Sequence, residues 1–166
     1  MTAVHPAALD DAALRAACDE RRTKGCGPGG QHRNKVETKI VLVHRASGVT
    51  ARAGERRSQA ENRAMALRRL RLSLAVEVRR PAGPPSPLWR SRVRGGRISC
   101  NPSHADFPAL LAEAMDAIAG AAFDPPAAAA GLGCTPTQLV RFLGDHPPAL
   151  VALNRARAAR GLHPLR

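Results

Sequence analysis

The chain has 166 residues and a formal net charge of +13, with 26 Lys or Arg against 13 Asp or Glu. It contains no apolar run of about 18 residues and no hydrophobic N-terminal signal, which argues against a membrane-spanning or secreted protein. This length suits one domain or two small ones, and 2% aromatic residues allow only modest cores.

The N-terminal part of the chain is predicted to be a small α+β domain. A helix over 10–18 precedes a strand over 19–24, and a strand over 38–44 pairs with one over 49–53 as a hairpin. Ser58-Gln-Ala-Glu61 is a capping box that begins a second helix. The apolar stripe of that helix is expected to pack on the sheet and consists of Ala60, Ala64, Leu67, Leu70 and Leu74.

Positive charge is concentrated in one part of the chain. Residues 20–97 contain 20 Lys or Arg against five acidic residues, whereas residues 98–166 contain five of each. Such segregation indicates a nucleic acid as partner. Residues 79–99, rich in Pro, Gly and Arg, are predicted to be a basic linker in which Trp89 either stacks on a base or packs against a domain.

Residues 100–166 are predicted to be an all-α domain. Start and stop signals predict helices over 109–119, 124–131, 135–143 and 147–161. Residues 128–140 resemble a helix-turn-helix, but a domain without net charge is a poor DNA binder, so we expect a docking or packing role and no binding of duplex DNA. The expected core consists of Leu110, Leu111, Met115, Leu132, Leu139, Leu143, Leu150 and Leu153.

The four cysteines show no C-x-x-C spacing. They are Cys18, Cys26, Cys100 and Cys134. Neither a zinc site nor a disulfide framework is predicted, and reduced thiols fit a cytoplasmic protein.

A bare glycine segment, Gly27-Pro28-Gly29-Gly30-Gln31, follows the first predicted strand. Such a backbone reaches positive φ easily and can approach another molecule closely. A dinucleotide-binding fingerprint over 25–30 would need an apolar strand before it and an acidic residue about 20 positions later, and both are missing. A phosphate-binding P-loop would need Gly-Lys-Ser/Thr where this chain has Gly-Gln-His. A flexible glycine turn without a function would not need the flanking motifs described next.

The motif Gly-Gly-Gln-His-Arg-Asn-Lys at 29–35, with Arg57-Ser58-Gln59 and Asn62 after it, resembles the catalytic domain of class I peptide-chain release factors. The similar stretch runs from about residue 18 to 78. Arg33 stands where the family often has Val, and Gly27-Pro28 resembles the short ribosome-rescue hydrolases. Too few residues precede the motif for a domain that recognises stop codons, which favours rescue over ordinary termination.

The resemblance implies a release-factor catalytic domain over 1–78, followed by the linker over 79–99 and the helical domain over 100–166. Its implied activity is ribosome-dependent, codon-independent hydrolysis of peptidyl-tRNA at the peptidyl transferase centre, on whole ribosomes or on split large subunits. Gly29, Gly30 and Gln31 are the implied catalytic residues, with the Gln31 backbone N–H on the oxyanion. The implied protein is a monomer without cofactor, metal or membrane partner, in a bacterial or organellar compartment.

Large-subunit ribosomal RNA is the expected partner of the basic residues. Those predicted to bind it are Arg21, Arg22, Lys24, His32, Arg33, Asn34, Lys35, Arg57, Arg90, Arg92, Arg94 and Arg97. Two alternatives stay open: a non-catalytic module that binds RNA or DNA, and a stop-codon-dependent release factor.

Overall fold

The computed structural model describes residues 4–23 and 38–166. The chain divides into two compact units, Met1–Glu77 and Val78–Arg166. No helix within the described ranges is long and apolar enough to cross a bilayer.

The first unit is a three-stranded antiparallel sheet with a long helix packed on it. The strands lie in the order β1-β2-β3, with Cys18 opposite His44 and Ile40 opposite Ala53. A short 3-10 helix begins the described chain. The elements are this 3-10 helix (Pro6–Ala8), α1 (Asp11–Ala16), β1 (Cys18–Thr23), β2 (Lys39–His44), β3 (Thr50–Ala53) and α2 (Gln59–Glu77). The predicted α+β architecture is confirmed.

Strand β2 forms the centre of the first core because its apolar residues alternate. Ile40 and Leu42 are fully buried on the face towards α2, whereas Val41 and Val43 are half-buried on the other face.

Helix α2 does not bury the stripe predicted for its first turns. Ala60 and Ala64 are exposed, and Asn62 and Ala66 are buried instead. An apolar stripe cannot include the polar Asn62, so the predicted face differs from the buried face by about half a turn at the helix start. Leu67, Leu70 and Leu74 are buried as expected.

The second unit is mainly helical, with one small hairpin. Its elements are α3 (Pro87–Arg92), β4 (Val93–Arg94), β5 (Arg97–Ile98), α4 (Phe107–Gly120), α5 (Pro125–Leu132), α6 (Pro136–Gly144) and α7 (Pro147–Ala158). Asp124 and Thr135 cap α5 and α6 through their side-chain oxygens, which accept from Ala127 N–H at 3.1 Å and Gln138 N–H at 3.3 Å.

An aromatic cluster occupies the core of the second unit. The Trp89 ring meets Phe142 edge-on with centroids 5.8 Å apart, and Phe107 lies 5.2 Å from Phe142. Trp89 is fully buried, and its Nε1–H donates to the Leu132 carbonyl at 2.8 Å. Of the predicted core leucines only Leu150 is half-buried; the others, with Met115, are buried.

The prediction of a linker over 79–99 is wrong for much of that stretch, which contains α3 and the β4–β5 hairpin. The prolines suggested an extended chain, but Pro87 occupies the first turn of α3 after the N-cap Ser86. The buried indole of Trp89 then anchors α3 in the second unit. Consequently the unit Val78–Arg166 holds 11 arginines against five acidic residues, a net charge of +6, and is not neutral.

Candidate catalytic segment and nucleic-acid interface

The Gly-Gly-Gln segment joins two strands that pair with each other. Strands β1 and β2 pair up to their ends, where Thr23 lies opposite Lys39. Residues 24–37 come between these positions in the sequence and lie outside the described residues. They include the predicted catalytic Gly29, Gly30 and Gln31 and the predicted RNA-binding Lys24, His32, Arg33, Asn34 and Lys35.

Asn62, in α2, binds the backbone at two places: just before β2 and just after β3. It is fully buried. Its Nδ2 group donates to the carbonyl of Thr38 at 2.7 Å and to that of Arg56 at 2.8 Å. Its Oδ1 accepts from the Arg56 N–H at 3.0 Å. One amide therefore fixes the residue before β2, the turn after β3 and the first turn of α2 relative to one another.

A bidentate ion pair fastens β1 to α2. Arg63 donates to Glu20 from Nε at 2.9 Å and from Nη2 at 2.8 Å. Arg15 lies 3.3 Å from the same carboxylate. The hydrogen bonds from Arg63 lower the pKa of Glu20, against the opposing effect of partial burial. Glu20 therefore stays ionised at neutral pH and holds the strand that precedes the Gly-Gly-Gln segment in the sequence.

Arg21 belongs to a cationic sheet face that α2 does not cover. The register places Arg21 opposite Val41, and Val41 opposite Arg52. Arg21 and Arg52 are exposed, and Lys39 on the same face is half-buried. Arg52 and Lys39 were not predicted as site residues, because only strand register reveals that they share a face with Arg21.

Two further predicted cations, Arg22 and Arg57, lie among the described residues of the first unit. Arg22 is opposite Ile40, and its Nε is 4.0 Å from Glu20. Arg57 is exposed in the turn between β3 and α2. Both guanidinium groups are accessible to a polyanion.

The four arginines predicted to bind RNA in the second unit differ in their surroundings. Arg92 pairs with Asp106 at 2.6 Å, and Arg90 donates to the Pro85 carbonyl at 2.8 Å. Arg94 and Arg97 are exposed at the tip of the β4–β5 hairpin.

The described thiols are not placed for nucleophilic chemistry. Cys18 and Cys134 are buried and Cys100 is half-buried, and burial raises the pKa of each of these thiols. Among residues 4–23 and 38–166 no three His, Cys, Asp or Glu side chains are grouped so that they could hold a metal ion.

Residues 15–86 match the RF-1 domain. Among curated proteins, the chain is 46% identical over 54 residues to the chloroplastic peptide chain release factor PrfB1 of Arabidopsis thaliana, covering 32% of this chain and 12% of that protein. It is 36% identical over 83 residues to peptide chain release factor 1 of Chlorobaculum tepidum, covering 49% of this chain and 23% of that protein. Residues 15–86 are therefore similar to a domain of peptide chain release factors.

A shorter relative shares more of its length with this release-factor domain. A mitochondrial peptide chain release factor-like protein of Saccharomyces cerevisiae is 39% identical over 66 residues, 39% of this chain and 40% of that protein. The chain thus spans well under half the length of these relatives. No solved structure matches the chain. The family match ends at residue 86, so α4 to α7 lie beyond it.

Proposed function

We propose that the protein hydrolyses the ester of peptidyl-tRNA in the ribosome without recognising a codon, and so releases nascent chains from stalled ribosomes or separated large subunits. The observation that carries the proposal is an intact Gly-Gly-Gln between two paired strands of a release-factor domain. Binding alone does not require that tripeptide.

The proposed chemistry needs an oriented water and a stabilised oxyanion. Water attacks the ester carbonyl carbon, the bond from that carbon to the ribose oxygen breaks, and a proton passes to the ribose oxygen. The Gln31 backbone N–H would donate to the developing oxyanion, while the Gln31 side chain positions or excludes water. Gly29 and Gly30 would allow the backbone to aim that N–H. Removing one such donor typically lowers the rate by roughly 100- to 1000-fold.

Two contacts with α2 support the proposal, because they hold the chain before and after the Gly-Gly-Gln segment. Glu20 is tied to α2 by Arg63, and the Thr38 carbonyl is tied to α2 by Asn62. Arg21, Lys39 and Arg52 provide a cationic face on the same sheet for large-subunit RNA, and Arg22 and Arg57 are further exposed cations of the unit. The proposed location is the compartment that holds the ribosomes, which is the cytoplasm or the interior of an organelle.

Peptide release tests the proposal directly. Wild-type protein, Gln31→Pro, which lacks the backbone N–H, and the control Gln138→Ala, altered on α6, are added to ribosomes stalled on truncated mRNA and to isolated large subunits. We expect Gln31→Pro to bind ribosomes like the wild type and to release peptide at least about 100 times more slowly, because it lacks the proposed oxyanion donor, with Gln138→Ala fully active. Release by the wild type no faster than in the absence of protein would show that the chain is a non-catalytic binding module, and equal release by Gln31→Pro and the wild type would show that the Gln31 N–H is not the oxyanion donor. Release only at stop codons would show a termination factor.

A further inference from the structure

The β4–β5 hairpin is fastened to the helix-turn-helix-like pair α5–α6. The Thr135 N–H, at the N-cap of α6, donates to the Gly96 carbonyl in the hairpin turn at 2.9 Å. Trp89 in α3, directly before the hairpin, contacts Phe142 of α6 and donates to Leu132 at the end of α5. The hairpin turn is therefore held against the start of α6.

The hairpin and α6 each present arginines whose charges are not neutralised within the described chain. Arg94 and Arg97 lie opposite each other across the hairpin, and like charges in that position repel. Both are exposed, as is Arg141 on α6, and no described carboxylate forms an ion pair with any of the three. Arg141 follows Thr137, also exposed, by one helical turn, so the two share a face of α6. An anionic partner would relieve the repulsion at the hairpin.

Two further observations indicate the kind of anion. The unit Val78–Arg166 has a net charge of +6. The expectation that the C-terminal helices do not bind duplex DNA rests on zero net charge, so it no longer applies to this unit. Single-stranded nucleic acids are bound largely by stacking on exposed aromatic rings. Trp89, Phe107 and Phe142 are all buried, and the partly exposed Phe123 ring is covered by the Arg160 guanidinium at 4.2 Å. The phosphates of a duplex need no such rings.

We propose that the turn of the β4–β5 hairpin and the exposed face of α6, with Arg94, Arg97 and Arg141, bind the phosphate backbone of double-stranded RNA. The choice of RNA over DNA rests on the proposed function. The chemistry of the surface itself, three free guanidinium groups on rigid elements, does not depend on that function.

Duplex binding by the full chain tests this surface. The probe is a labelled RNA duplex of about 16 base pairs, compared with one of its single strands and with the DNA duplex of the same sequence. The test variant is Arg94→Gln/Arg97→Gln/Arg141→Gln. The matched control, Arg80→Gln/Arg155→Gln/Arg166→Gln, removes three exposed arginines on other segments of the same unit.

We expect the test variant to bind duplex RNA roughly 10-fold more weakly, and its log–log salt slope to fall by up to about three, since each lost phosphate contact lowers the slope by about one. The control should stay within about 3-fold of the wild type. Equal losses in both variants, no loss in either, or a loss confined to the DNA duplex or the single strand would overturn the proposal. Gln31→Pro, which is expected to lose peptide release, should bind the duplex like the wild type, so the result of this test does not depend on whether the protein releases peptide.

Discussion

The side-chain amide of Asn62 donates to the carbonyl of Thr38 across 24 positions of the sequence, at 2.7 Å. Thr38 is the first described residue after the Gly-Gly-Gln segment, and Asn62 lies in the first turns of α2. The position of Thr38 is therefore set by a helix that is remote in sequence.

Replacing Asn62 should destabilise the first unit. In Asn62→Ala the Thr38 carbonyl and both backbone groups of Arg56 lose their hydrogen bonds in a part-buried place, which costs about 2–4 kcal/mol of the free energy of unfolding. Urea unfolding followed by far-ultraviolet circular dichroism measures the change. The control is Gln138→Ala, in the other unit. An unfolding midpoint equal to that of the wild type would contradict the role given to Asn62.

The Glu20–Arg63 pair should make stability depend on pH. The pKa of Glu20 is lowered from its ordinary value of 4.5, so its contribution is present above pH 4.5 and is lost as the pH falls through the lower pKa of the folded state. Glu20→Gln should be less stable than the wild type by about 1–3 kcal/mol at pH 7 and should differ little at the acid end. Urea unfolding from pH 3 to pH 7, with Glu61→Gln as the control, tests this. A difference that is constant over the whole range would contradict it.

Any side chain at position 96, in the hairpin turn, should destabilise the second unit. Gly95 and Gly96 have φ of +55° and +74°, as a type I′ turn requires, and a Cβ at Gly96 would lie 3.3 Å from Thr135 Cγ2. Gly96→Ala should therefore lower the stability of the second unit by about 1–2 kcal/mol. Gly83→Ala is the matched control, since nothing lies within 4 Å of its Cβ. The idea fails if the two variants unfold at the same midpoint.

Two neighbouring arginines of the second unit, Arg92 and Arg94, should differ in function: one should contribute to stability and the other to RNA binding. Arg92→Ala breaks the 2.6 Å pair with Asp106 and should lower the thermal unfolding temperature, with a loss of about 0.5–1 kcal/mol. Arg94→Ala removes an exposed cation and should weaken RNA binding while leaving the unfolding temperature unchanged. Thermal unfolding and duplex binding are measured on both variants. The reverse pattern would contradict the division.

The parts of the fold that follow from local pattern were predictable. Strand β2 shows simple alternation, and Ser58, Asp124 and Thr135 stand in capping positions that any helix start would use. Helix α3 was missed because its prolines resemble a linker, and only the tertiary burial of Trp89 shows that the segment is folded.

The sequence motif of the candidate site was predictable, but the long-range contacts that hold the chain around it were not. Asn62 was noticed as part of the resemblance, yet nothing in its neighbours indicates that it reaches Thr38. The Glu20–Arg63 pair depends on which side of β1 faces α2, and one residue of register would place Glu20 on the opposite face. Such long-range contacts cannot be inferred from spacing alone.

The burial of Trp89 also has a spectroscopic consequence. It is the only tryptophan, and the chain contains no tyrosine. The intrinsic fluorescence excited near the red edge of protein absorption therefore comes from the centre of the second unit. Its emission should move to longer wavelength when that unit opens to water, whereas circular dichroism follows the helices of both units. The two signals together can resolve the unfolding of each unit in an unlabelled protein.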